Sequence, residues 1–167
     1  MPLIIGNILA LIASLLFIYS GILKNKKKII IAQCIQKGLA TISNIVLQGY
    51  SGAITHAISL IRNILCYYDK LNIVVKIIIT IITIALSISF NNLGLIGILP
   101  LISSIIYLWL MDTKDIIKFK YIMLITIILW AIYDITIKSY TSFIFGIFSA
   151  ITTIISIIQI KNKGIDK

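Results

Sequence analysis

The chain is poor in charge. Charged residues make up 12% of its 167 positions, and five acidic residues stand against fifteen lysines and arginines. A soluble domain of this length needs charge over much of its surface, so that class is excluded. Histidine occurs once, at His56, and cysteine twice, at Cys34 and Cys66. Neither CxxC nor a Cys/His spacing is present, so no metal centre, disulfide framework or cofactor is expected. The two cysteines read as small packed hydrophobes. HExxH, GxSxG and P-loop motifs are missing, and one histidine with one well-buried acid is thin material for acid–base chemistry. The chain is therefore not read as an enzyme. A basic arm and any nucleic-acid motif are also missing, so the net charge of +10 needs an explanation other than nucleic acid.

What is present is long apolar sequence. The chain is 60% hydrophobic with a mean hydropathy of +1.11. Seven apolar runs can be marked, at about 3–23, 29–48, 53–69, 72–90, 94–111, 120–138 and 141–160. Each is close to the ~20 residues that a helix needs to cross a bilayer. A helix is the open-chain way to satisfy the backbone in lipid. The first run has its lysines after it rather than before, which reads as an uncleaved helix and not a signal peptide.

The basic residues explain themselves as topology. With the N-terminus outside, the first, third and fifth connections and the tail are cytoplasmic. They hold Lys24, Lys26, Lys27, Lys28, Lys70, Lys76, Lys114, Lys118, Lys120, Lys161, Lys163 and Lys167, alongside Asp69, Asp112 and Asp115. The outer side holds Lys138, and Lys37 and Arg62 lie within spans.

A shift of 90 positions lays the first three spans on the last three without a gap. Ser14 meets Ser104, Lys24 and Lys28 meet Lys114 and Lys118, and Asn44 meets Asp134. Tyr50, Ser51 and Ser59 meet Tyr140, Thr141 and Ser149. The expected architecture is all-α and integral to the membrane: seven transmembrane helices as two parallel triple-helix bundles joined by a linker helix. The first bundle would span 1–69, the linker 70–92, the second bundle 93–160 and a cytoplasmic tail 161–167.

Polar residues recur at helical spacing inside the apolar runs. The second span carries Gln33, Gln36, Lys37, Thr41, Asn44 and Gln48 on one face, and the third carries His56, Ser59, Arg62, Asn63 and Cys66. The sixth has Trp130, Tyr133, Asp134 and Lys138. A cation left towards lipid at mid-depth costs about 3 kcal/mol even on a lenient scale, so these faces should turn inward. They could glue helices together or line a polar cavity. The hydroxyls of the seventh span, from Ser142 to Ser156, are read as glue. Lys37, Asn44, Arg62, Asn63, Trp130 and Asp134 are the candidate substrate-binding residues. Asp134 has a competing role, neutralising Lys138 one turn on. His56 reads as a helix-interface residue or a proton-coupling group. Pro100, within the fifth span, reads as a kink or a hinge.

Several local sequences carry a resemblance: Gln48-Gly49-Tyr50-Ser51-Gly52-Ala53, Ile58-Ser59-Leu60-Ile61-Arg62-Asn63 and Leu99-Pro100-Leu101-Ile102-Ser103-Ser104. Leu129-Trp130-Ala131-Ile132-Tyr133-Asp134 and Ser139-Tyr140 continue it. In order and spacing the chain resembles the YgjV-like family of bacterial inner-membrane proteins over nearly its whole length. That family is similar to the SWEET, PQ-loop and nicotinamide-riboside transporter group, which uses two triple-helix bundles around a linker helix. The sequence departs from the pattern with Asp134 for Asn, Thr141 and Ser142 for Gly, and Gly146 and Ala150 for polar residues. No PQ dipeptide occurs. The resemblance implies the bacterial inner membrane and a small-solute transporter or facilitator, and the lysine distribution puts the C-terminus in the cytoplasm. The excess of positive charge inside the membrane favours an anionic or phosphate-bearing solute. The alternative is a non-transporting scaffold that binds a protein partner.

Overall fold

The structure, a computed structural model, describes residues 1–111 and 113–162. Asp112, Lys163 and Lys167, and with them most of the expected tail, lie outside the described residues. The described chain forms seven α-helices: α1 Pro2–Ile22, α2 Lys26–Val46, α3 Tyr50–Tyr67, α4 Ile73–Ser89, α5 Leu99–Leu110, α6 Ile116–Thr136 and α7 Tyr140–Asn162. Four of them, α1, α2, α6 and α7, are long and apolar enough to cross a membrane.

Local chemistry sets the ends. The side chains of Asn25, Asn72 and Asp115 accept backbone N–H groups at the starts of α2, α4 and α6. Those caps start α2 and α6 about one turn before their apolar runs begin. Gln48, Asp69 and Lys138 take positive φ and end α2, α3 and α6. Behind each, the next residue's N–H bonds back to the last turn: Gly49 to Asn44 O, Lys70 to Leu65 O and Ser139 to Asp134 O.

The fifth span departs from expectation. Residues 94–111 do not make one helix; a 3-10 turn, Ile96–Ile98, precedes a twelve-residue α5. Pro100 sits in the first turn of α5, where its missing N–H breaks no helix bond. At that position it introduces no kink within α5. Upstream, the Asn91 side chain donates to Gly94 O and accepts from Leu93 N, and Gly94 takes φ +59°, closing a tight turn.

Six helices pack in a closed order: α1 on α2, α2 on α3, α3 on α5, α5 on α6, α6 on α7, and α7 back on α1. Helix α4 stands outside this ring against α3 and α5. The polarity is inverted relative to a soluble protein. Ile4, Ile8, Ile81, Ile128, Ile151 and Ile158 are exposed, whereas Gln33, Asn44, Arg62, Asn63, Thr55 and Ser149 are buried. Such a molecule suits an apolar solvent. Gly21 shows how close the ring packs: a Cβ there would lie 2.9 Å from the hydroxyl oxygens of Thr152 and Thr153. With Ser149 and Ser156 also buried, that stretch of α7 suits the expected helix-to-helix contact, whereas Ser142, read with it, lines the cavity between the helices.

A polar cavity inside the helix ring

The ring encloses a cavity with about 80 Å³ open to the centres of water molecules. A single water needs roughly 10–15 Å³ on that measure, so several fit. All six ring helices line it, and none of the described residues of α4 does. Helix α2 is the principal polar wall, with Gln33, Gln36, Lys37, Ser43 and Asn44. Helix α3 adds His56, Ser59 and Arg62, and α6 adds Met123, Ile127, Trp130, Ala131 and Asp134.

Five of the six candidate residues therefore meet at one place: Lys37, Asn44, Arg62, Trp130 and Asp134 all line the cavity. Asn63 does not. It is fully buried behind Arg62, and its Oδ1 accepts from Arg62 Nε at 3.2 Å and Nη2 at 3.0 Å. Arg62 Nη1 donates to Ser104 O at 3.3 Å, and its guanidinium lies 4.6 Å from the Tyr107 ring centre. The Tyr107 hydroxyl in turn donates to Gln33 Oε1 at 2.7 Å. Arg62 is thus held from three sides, as a buried cation must be.

Lys37 is held more loosely. Its Nζ lies 3.2 Å from His56 Nδ1 and 5.3 Å from the centre of the Trp130 indole. With Lys37 as an ammonium, which only donates, Nδ1 accepts and the ring proton sits on Nε2. His56 stacks on Trp130, and Trp130 meets Tyr133 edge-on with centroids 5.6 Å apart. Asp134 lines the cavity from the last turn of α6, and among the described residues no ion pair joins it to Lys138. The surface-pair role for Asp134 is thereby set aside.

Among the lining groups that escaped the choice of candidates are Gln33, Gln36 and Tyr107. Gln33 and Gln36 lie on the polar stripe of α2 and were available to it. Tyr107 gave no signal, being an aromatic inside an apolar run. Its hydroxyl and ring face nevertheless join α5 to both α2 and α3.

Towards the α1–α2 and α5–α6 connections the cavity ends in an apolar cluster. Ile29, Met111, Phe119 and Met123 are fully buried there, with Ile30, Cys66 and Tyr107 around them. Two lysines brace that end. Lys120 donates to Gly21 O at 2.8 Å and Leu23 O at 3.1 Å, and Lys26 donates to Thr113 O at 3.0 Å.

Apolar helices closed around a polar cavity define a polytopic α-helical membrane protein. The chain belongs to the YgjV family of bacterial inner membrane proteins, whose family model matches residues 4–163. No curated relative and no solved structure matches the chain.

Proposed function

We propose that the protein is a small-solute carrier that works by alternating access between two triple-helix bundles, α1–α3 and α5–α7, with α4 as the linker between them. The observation that carries this reading is the polar cavity, lined by all six ring helices. Repeat-built carriers place their solute sites at such an interface between halves.

The 90-residue shift supports it. Ser14 and Ser104, Phe17 and Tyr107, Gln36 and Thr126, Ala40 and Trp130, and Asn44 and Asp134 each correspond under the shift and each line the cavity. Gln48 and Lys138 correspond as well, and both take positive φ at a helix end. The α1–α7 contact has its counterpart in α5–α3. The plan agrees with the SWEET and PQ-loop group that the sequence resembles.

The lysine-rich connections place the N-terminus outside on this reading. The apolar cluster then closes the cytoplasmic side of the cavity. The test is solute flux in proteoliposomes against a panel of sugars, nucleosides, vitamins and organic anions. A carrier takes up a panel member, and Lys37→Ala and Asn44→Ala each reduce that flux. Unchanged flux in both variants overturns the site. A folded protein that moves no solute and keeps a stable protein partner on gentle purification is a scaffold instead.

A further inference from the structure

We propose that the solute this cavity takes is a small monocarboxylate that also carries a hydrogen-bond donor, a 2-hydroxy acid being the simplest case. The inference rests on the carrier reading for its transport aspect and on the cavity alone for its chemistry.

Charge comes first. Two cations, Lys37 and Arg62, and one carboxylate, Asp134, line the space. With all three ionised, one negative charge from a ligand balances them, whereas a zwitterion or a neutral solute leaves one cation uncompensated in a medium that penalises it. Arg62 has committed its fork to Asn63 Oδ1 and Ser104 O, so it supplies charge and edge donors rather than a bidentate clamp. Lys37 has used one donor on His56 Nδ1 and keeps two for a carboxylate oxygen.

The donor requirement comes from Gln36. Gln36 lines the cavity, and its Oε1 is buried with no hydrogen-bond partner among the described residues. A buried acceptor left without a donor is destabilising. It lies one residue from Lys37 on α2. A hydroxyl next to a carboxylate would satisfy the amide oxygen while the carboxylate meets the ammonium.

Shape completes the class. Facing the polar wall, α6 presents Met123, Ile127 and Ala131. A carbon skeleton suits that side, and a tetrahedral oxyanion would turn oxygens against it without partners. The open volume of about 80 Å³ has room for several water-sized groups, which admits a three-carbon acid.

The test is thermal stabilisation of the detergent-purified protein by four probes: L-lactate, propionate, lactamide and inorganic phosphate. A ligand that binds the folded form alone raises Tm in a concentration-dependent way. The proposal expects lactate to bind about tenfold or more tighter than propionate, which lacks the donor. Lactamide, which lacks the charge, should give no shift. Gln36→Leu should abolish the preference for lactate over propionate, and Lys37→Met should abolish both shifts. Because the comparison of probes uses the unaltered protein, a misfolded variant leaves it decisive. Equal binding of lactate and propionate overturns the donor assignment, and phosphate binding without lactate overturns the carboxylate. Binding of another solute class alone, with flux of it in proteoliposomes, sinks this inference and leaves the carrier standing. Lactate binding without lactate flux does the reverse.

Discussion

The indole of Trp130 and the imidazole of His56 lie face to face, with ring centroids 4.1 Å apart and planes within 8° of parallel. The pair joins α6 to α3 across the cavity. Lys37 Nζ, from α2, contacts the imidazole and sits 5.3 Å from the indole centre. Three helices drawn from both halves of the chain thus converge on one group of side chains, and any movement of the halves past each other must rearrange it.

Removing the indole should weaken solute binding. A stacked aromatic pair contributes about 0.5–1.5 kcal/mol beyond its buried area, and a cation over an indole a similar amount. Trp130→Ala is therefore expected to lower solute affinity by about tenfold. Trp109, which donates to Thr80 on the outer helix α4, is the control. Trp109→Ala should leave affinity within about twofold. Saturation binding or half-maximal flux concentration on both variants reads the difference, and equal losses would remove Trp130 from the site.

Two glycines should respond differently to a methyl group. A Cβ on Gly52 would lie 2.6 Å from Tyr133 Cε1 and 2.7 Å from its hydroxyl oxygen, which accepts the Gly52 N–H. Tyr133 is fully buried and has no room to give. Gly52→Ala should cost about 1–3 kcal/mol of stability through overpacking. Gly146 lines the cavity, and a Cβ there meets nothing within 4 Å. Gly146→Ala should be neutral in thermal unfolding, while Gly146→Leu fills the cavity and stops solute binding with the protein still folded. A destabilising Gly146→Ala would contradict that placement.

Much of this arrangement was visible in the sequence because lipid reverses the usual rule of burial. In an apolar chain a polar side chain has to turn inward, so Lys37, Asn44, Arg62, Trp130 and Asp134 could be found by their incongruity. The seven elements were visible for the same reason, in the alternation of apolar runs with short polar connections. What polarity could not tell was which inward residue faces the open space. Asn63 is as polar as Arg62 beside it, yet one packs behind and the other lines the cavity. The short α5 was hidden because its apolar run continues without a break through the 3-10 turn, Ile96–Ile98, that precedes it. Tyr107 was hidden because a phenol among isoleucines looks like core until its hydroxyl is seen to reach Gln33.

Asn63 has a role that its position behind Arg62 makes testable. Its Oδ1 takes two donors from the guanidinium. Asn63→Ala leaves those donors buried without partners, and hydrogen bonds to a charged group contribute about 1.5–3 kcal/mol each. The variant should lose thermal stability by an amount of that order. Asn63→Asp, which retains the acceptor and adds a neutralising charge, should lose less. Arg62→Lys should behave like the alanine variant, since an ammonium cannot span Asn63 and Ser104 as the fork does. Unfolding of the three variants in one detergent orders them, and an unchanged Asn63→Ala would show that Arg62 is held without it.

The two lysine braces give a test of how the cavity closes. Lys120 reaches from α6 to the carbonyls of Gly21 and Leu23, and Lys26 reaches from α2 to that of Thr113. Leu23 and Thr113 are 90 positions apart in the sequence, so each half's connection is held by a lysine of the other half. Hydrogen bonds from a charged donor to these carbonyls contribute about 1.5–3 kcal/mol each, enough to bias two states of comparable energy. Cys66 lies in the apolar cluster beneath them and is 8% exposed, which makes it an internal reporter. In a Cys34→Ala background, Lys120→Met should raise the rate of maleimide labelling at Cys66 by about tenfold, and Lys26→Met by less, because it breaks one bond rather than two. The reagent should act from the lysine-rich face alone, which on the positive-inside assignment is reached in inside-out vesicles and not in right-side-out ones. Labelling from the opposite face would reverse the orientation, and unchanged rates in both variants would mean that the apolar cluster closes the cavity without the braces.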